Sequence, residues 1–140
     1  MLKNVPKIIG PQLLKILCEM GHGDEIVIAD GNFPAETYGK RVVRADGLNG
    51  VDMLSAVLDL IPLDTYAEEN FMLMQTVQGD PTPEIWAEYE AVANAKDDNV
   101  RLANIERFAF YERAKNAYAV VATGEERVYA NIILKKGVIK

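Results

Sequence analysis

Glu25-Ile26-Val27-Ile28-Ala29-Asp30, entered through Gly21-His22-Gly23-Asp24, decides how this chain folds. Ile26, Val27 and Ile28 form a short unbroken apolar run between turn residues, the pattern of a strand covered on both faces. Upstream, Pro11 opens a segment in which Leu13, Ile16, Leu17 and Met20 recur at helical spacing. A core-facing helix therefore precedes the strand, and Gly21 stops it. His22-Gly23-Asp24 is then a short helix-to-strand loop.

Downstream, residues 31–38 carry Gly, Asn and Pro and read as a loop, and Arg41 to Arg44 offers a second strand broken by Asp46 and Gly47. Val51 to Leu60 places Leu54, Val57 and Leu58, with Ile61 just beyond, on one helical face and stops before Pro62. Phe71 to Val77 is strand-like. Thr82 and Pro83 read as an N-cap with proline in the first turn, leading a helix through Ile85, Trp86, Tyr89 and Val92. A strand over Arg101 to Arg107, a helix over Phe110 to Asn116, and strands over Tyr118 to Ala122 and Val128 to Leu134 complete the chain. The turn Thr123-Gly124-Glu125 predicts that the last two strands pair as a hairpin. Helices alternating with short apolar strands give an α/β domain, and the hairpin makes its sheet mixed.

A chain of 140 residues fits one domain, 1–140, with no room for separate cofactor and substrate domains. With 21 acidic against 15 basic side chains the net charge is −6, the opposite of what a nucleic-acid partner selects, and no basic stripe offsets it. The single cysteine, Cys18, rules out a disulfide framework or a multi-cysteine metal site, and its place in an apolar helical pattern predicts core packing. No apolar run reaches signal-peptide or membrane-spanning length, so the expected location is the cytoplasm, away from any membrane.

The only histidine, His22, lies between two glycines rather than in an apolar stripe. Imidazole exchanges protons near neutral pH, and flanking glycines let a substrate approach closely. His22 with Asp24 is a poor zinc set, because zinc wants further His or Cys ligands that the chain lacks. Cys18 and Ser55 fall inside helices, not at positions for nucleophilic attack, and no glycine-rich phosphate loop is present. Proton transfer on a small neutral polyol remains. The C-terminal third supplies hydrogen-bonding groups for one: Arg107, Tyr111, Tyr118, Tyr129 and Asn131. Tyr118, opening an apolar strand, is expected to pack. Tyr129 and Asn131, two apart on the predicted strand, would share a face, which suits either a ligand or plain solvent exposure.

Residues 21–30 and Asn32-Phe33-Pro34 are followed by Arg44-Ala45-Asp46-Gly47, Leu63-Asp64-Thr65-Tyr66, Ile105-Glu106-Arg107-Phe108 and Phe110-Tyr111-Glu112-Arg113-Ala114. Thr123-Gly124-Glu125, Tyr129-Ala130-Asn131 and Lys136-Gly137-Val138 close the series. In these blocks, spread over almost the whole length, the chain resembles the L-fucose mutarotase and D-ribose pyranase family of sugar isomerases. The resemblance implies a three-layer α/β/α domain with a mixed sheet, and a homo-oligomer, a decamer of stacked rings in bacterial members. It implies His22 as the acid/base group. Asp30, Arg107 and the Tyr129, Ala130, Asn131 segment would bind the sugar, with Asp64 and Tyr111 also in the site. It further implies a monosaccharide substrate and neither cofactor nor metal. The Leu63 to Tyr66 and Phe110 to Ala114 blocks are similar to the fucose branch, so the expected reaction is interconversion of L-fucose anomers by ring opening and reclosure. Ala130 stands where fucose members often carry glycine, which leaves D-ribose open, and a non-catalytic sugar-binding protein is the alternative from another class.

One expectation comes from chain geometry alone. With the strand extended, His22 and Asp30 lie roughly 20 Å or more apart, too far for one monosaccharide to bridge. Either the chain folds back sharply, or a neighbouring protomer brings the second group.

Overall fold

A computed structural model describes residues 1–140. The elements run α1 (Pro11–Glu19), β1 (Glu25–Ala29), α2 (Ala35–Tyr38), β2 (Val42–Ala45), α3 (Gly50–Leu58), β3 (Phe71–Met74), α4 (Ile85–Lys96), β4 (Leu102–Ile105), α5 (Arg107–Asn116), β5 (Ala119–Thr123) and β6 (Ile132–Lys135). One six-stranded sheet has the order β2-β5-β1-β6-β3-β4. Strand β1 is central and its four residues from Ile26 to Ala29 are fully buried, as its unbroken apolar run requires.

Alternate strand residues build two separate cores. Ile26, Ile28, Val121, Ile132 and Leu134 pack under α1, α3 and α4, while Val27, Ala29, Val120, Met72 and Ile133 pack under α2 and α5. The domain therefore has the expected three layers around a mixed sheet. Each buried Leu, Ile or Val contributes roughly 1.5–3 kcal/mol by leaving water. No helix is long and apolar enough to cross a membrane.

The sheet is mixed for a different reason than the predicted hairpin. Strands β5 and β6 do not pair; β1 lies between them, parallel to β5 and antiparallel to β6. Strand β6 is also antiparallel to β3, so it alone runs against the other five. It begins only at Ile132, because the chain turns before it with Tyr129 at φ 56°. Tyr129 and Asn131 are thus loop residues rather than strand neighbours.

Smaller differences have local causes. A four-residue helix, α2, occupies part of the expected loop. Strand β3 ends at Met74 rather than Val77, and α5 starts earlier, at Arg107, where the Glu106 carboxylate accepts the Ala109 N–H. Thr82 does not cap α4, which is preceded by Glu84 in helical conformation with no side-chain cap. Cys18 is exposed: the buried stripe of α1 is Leu13, Ile16 and Leu17, and the next residue points away from it. Gly50 opens α3 where a Cβ would fall 1.9 Å from the Tyr89 hydroxyl, so α4 can place Tyr89 deep beside the loop before β6.

Candidate active site

The reversed strand explains which residues meet. The C-terminal ends of β1, β3 and β4 share one edge of the sheet with the N-terminal end of β6, so the loops bearing Asp30, Asp80, Arg107 and Tyr129 converge there. Crevices at the carboxyl ends of parallel strands are where open α/β sheets bind ligands. Asp30, Arg107, Tyr111, Tyr129 and Asn131 all line one cavity of about 320 Å³. Asn32, Phe33, Met74, Asp80 and Val128 complete its wall.

The Asp30 carboxyl is buried and sits above its ordinary value of 3.8, because desolvation outweighs the amides that hold its charged form. Those amides are Asn32 N–H, 3.0 Å from Oδ1, and Ala130 N–H, 3.3 Å from Oδ2. The Asp30 N–H in turn donates to Asn131 Oδ1 at 2.8 Å. The Tyr129 to Asn131 segment is clamped from behind: Trp86 Nε1 donates to the Tyr129 carbonyl at 2.9 Å and Tyr89 Oη to the Ala130 carbonyl at 3.0 Å. The Ala130 methyl faces the core, so this residue offers the site its backbone only.

Arg107, the first residue of α5, has a buried Nε with no partner, a donor in want of an acceptor. Tyr111 stacks on Tyr38 with centroids 4.9 Å apart and planes 6° from parallel. Tyr129 Oη donates to Asp80 Oδ2 at 2.5 Å and accepts the Val77 N–H at 3.3 Å. Tyr118 is a packing residue, with the Arg41 guanidinium 3.9 Å from its ring centroid.

His22 and Asp64 lie at the other edge. Their loops enter β1 and precede β3, and β6 leaves the sheet beside them. Gly23, at φ 85°, donates its N–H to the Lys136 carbonyl at 2.8 Å, while Lys136 Nζ binds the carbonyls of Leu17 at 3.0 Å and Met20 at 2.5 Å. These bonds seat the histidine loop on both α1 and β6. Asp64 is held by its own N–H on the Lys135 carbonyl at 3.0 Å and by Asn70, whose Nδ2 donates to the Asp64 carbonyl at 2.8 Å.

His22 Nε2 is 2.9 Å from Asp64 Oδ1, with the histidine side chain 45% exposed and the aspartate 5%. Burial pushes the Asp64 carboxyl up, but hydrogen bonds from His22 and the Tyr66 and Ala67 amides prevail, and the net shift is down. An ionised carboxylate can only accept, so Nε2 carries the proton and Nδ1 is the nitrogen left to face a substrate. No three of the His, Cys, Asp and Glu side chains gather so as to hold a metal ion.

Of the residues singled out in the sequence, five therefore converge on one cavity, Ala130 backs it, and His22 and Asp64 form a pair elsewhere. Asp80 went unnoticed in the sequence. Its only signal was position, in a Gly-Asp-Pro turn beyond a strand end.

A sequence profile of the RbsD / FucU transport protein family matches residues 3–139. The chain is 51% identical to human fucose mutarotase over 99% of its own length and 94% of the relative's. The crystal structure of the fucose mutarotase from Streptococcus pneumoniae in complex with L-fucose superposes with a TM-score of 0.95 at 48% identity, covering 99% of this chain and 100% of that one. Bacillus subtilis RbsD complexed with D-ribose is more distant, with a TM-score of 0.75 and 25% identity over the full length of both chains.

Proposed function

The chain belongs to the RbsD / FucU family, and from that membership we propose that it interconverts the α and β anomers of L-fucose. The observation that carries the mechanism is the His22–Asp64 pair. Mutarotation takes a proton from the anomeric hydroxyl and gives one to the ring oxygen; the ring opens to the aldehyde, which turns and recloses on its other face. Protonated His22 delivers the proton to the ring oxygen from Nδ1, while Asp64 fixes the ring through Nε2 and offsets the imidazolium charge. Acid/base help of this kind is typically worth about a hundredfold to ten-thousandfold. Asp30, with its raised carboxyl, Arg107, Tyr111, Tyr129 and Asn131 hold the sugar at the other edge of the sheet.

The two groups belong in one site only if a second copy supplies the missing edge. His22 of one protomer then closes the Asp30 cavity of the next, and each interface is head-to-tail, the kind that generates a ring. We propose a homo-oligomer, specifically the decamer that the family resemblance implies, in the cytoplasm, where an exposed free thiol such as Cys18 persists.

L-fucose is preferred over D-ribose in this proposal because the fucose mutarotases are much nearer relatives than the ribose-bound protein. Ala130 does not argue otherwise, since its methyl is buried. The test is magnetisation exchange between anomeric proton signals of L-fucose, D-ribose and D-galactose. Exchange should accelerate most with L-fucose; binding of L-fucose without acceleration would instead identify a non-catalytic sugar-binding protein.

A further inference from the structure

We infer that Asp80 is a positioning residue: its carboxylate accepts the hydrogen bond of the Tyr129 phenol O–H, so that Tyr129 meets the sugar as a hydrogen-bond acceptor for a sugar hydroxyl. This rests on the proposed sugar site and adds to it a residue and a polarity. A phenol oxygen has one proton and two lone pairs. The proton points at Asp80 Oδ2, 2.5 Å away, and the Val77 N–H approaches the same oxygen at 3.3 Å. What remains for a ligand is a lone pair. Both Asp80 and Tyr129 line the cavity, so the bonded pair forms part of its wall.

The backbone is arranged to produce this pair. Tyr129 is one of two non-glycine residues at positive φ, a strained conformation that persists where surroundings impose it. Trp86 imposes it from behind by holding the Tyr129 carbonyl, and Gly79, at φ 95°, turns the facing loop so that Val77 and Asp80 both reach the phenol. Asp80 is exposed and makes no other side-chain hydrogen bond within the fold, so its stabilising role there is small.

The pair also removes Tyr129 from the choice of proton acceptor. Its phenol lies above the ordinary value of 10.0, chiefly through the bond to Asp80, and ionising it would set a phenolate against a carboxylate. Asp30, Tyr111 or a water is left to take the anomeric proton.

The test compares the parent with Asp80→Ala, Tyr129→Phe, the double variant and Asp80→Asn. In calorimetric titrations with L-fucose, Asp80→Ala and Tyr129→Phe should each weaken binding about twofold to tenfold, the worth of one hydrogen bond. The double variant should lose no more than Tyr129→Phe alone, since Asp80 acts only by orienting the Tyr129 hydroxyl. Asp80→Asn, whose amide oxygen still accepts the phenol proton, should bind close to the parent. Ultraviolet tyrosinate titration needs no sugar: the ionisation lost on Tyr129→Phe should shift to lower pH in Asp80→Ala. Additive losses in the double variant, or an unmoved ionisation, would overturn the inference. A parent that does not bind L-fucose at all would overturn the sugar site and this inference together, whereas normal binding with an unaffected Asp80→Ala variant would remove only the inference.

Discussion

His22 and Asp30 stand at opposite edges of the sheet with the whole of β1 between them. Five strand residues at about 3.3 Å each put more than 15 Å between the two edges, beyond the reach of one monosaccharide. Each has its own support: His22 rests on Asp64, and Asp30 on the amides of Asn32 and Ala130. The single protomer builds and holds both clusters, which the proposed function treats as the two halves of a shared site.

Replacing His22 by alanine should lower L-fucose anomer exchange by at least about tenfold and leave the fold intact, because in the proposed mechanism it is the proton donor and its half-exposed side chain adds little packing. The exchange rate and a thermal melt on the same sample decide it. Parent-like exchange would exclude the acid/base role.

Asp64→Asn should also slow exchange, since a neutral amide, though its oxygen can still accept from Nε2, no longer offsets the imidazolium charge. The same variant bears on pH. Asp64 and Glu125 both titrate below their ordinary values of 3.8 and 4.5: burial raises each, and hydrogen bonds, from His22 and from Arg127 respectively, more than reverse it. A depressed carboxyl stabilises the fold fully above its unfolded value and loses that contribution as pH falls through its folded value. Melting temperature should therefore fall below about pH 4, and less steeply in Asp64→Asn. An identical acid limb in both proteins would show that Asp64 adds nothing to it.

Asn131 was expected to act mainly on sugar affinity, and the structure gives it a second task. Its Oδ1 accepts the buried Asp30 N–H, so Asn131→Ala leaves that donor unpaired at a cost of about 1–3 kcal/mol. Chemical denaturation should register this loss along with weaker L-fucose binding. A variant of parental stability would mean that water replaces the amide oxygen.

Gly137 lies where a Cβ would come 2.5 Å from the Leu63 carbonyl oxygen and 2.9 Å from the Asp64 Cα, backbone that cannot yield cheaply. Gly137→Ala should displace Asp64 from His22, lowering both melting temperature and exchange while L-fucose binding at the Asp30 cavity of an assembled sample suffers less. Unchanged exchange would show that the loop absorbs the methyl without moving the pair.

What the sequence revealed follows from how local each signal is. The apolar run Ile26 to Ile28 and the stripe Leu13, Ile16, Leu17 depend on neighbouring residues, and β1 and α1 sit where those patterns place them. The partner of β6 depends on long-range pairing. Thr123-Gly124-Glu125 has hairpin chemistry, yet Glu125 is buried and accepts the Gly50 N–H and Arg127, fixing a loop that carries the chain past β1. Resemblance, not spacing, brought Asp64 into view, because its bond to His22 spans 42 positions. Asp80 had no pattern of its own and became visible only when the Tyr129 backbone turned toward it.

The most direct test mixes two variants that should each be inactive, His22→Ala and Asp30→Ala, under conditions of subunit exchange, and follows L-fucose anomer exchange. No chain in the mixture carries both groups. If neighbouring protomers complete each site, an equal random mixture should recover roughly one quarter of the parent rate, the fraction of interfaces pairing an intact His22 with an intact Asp30. Mixed oligomers confirmed by mass spectrometry that remain inactive would contradict the shared site.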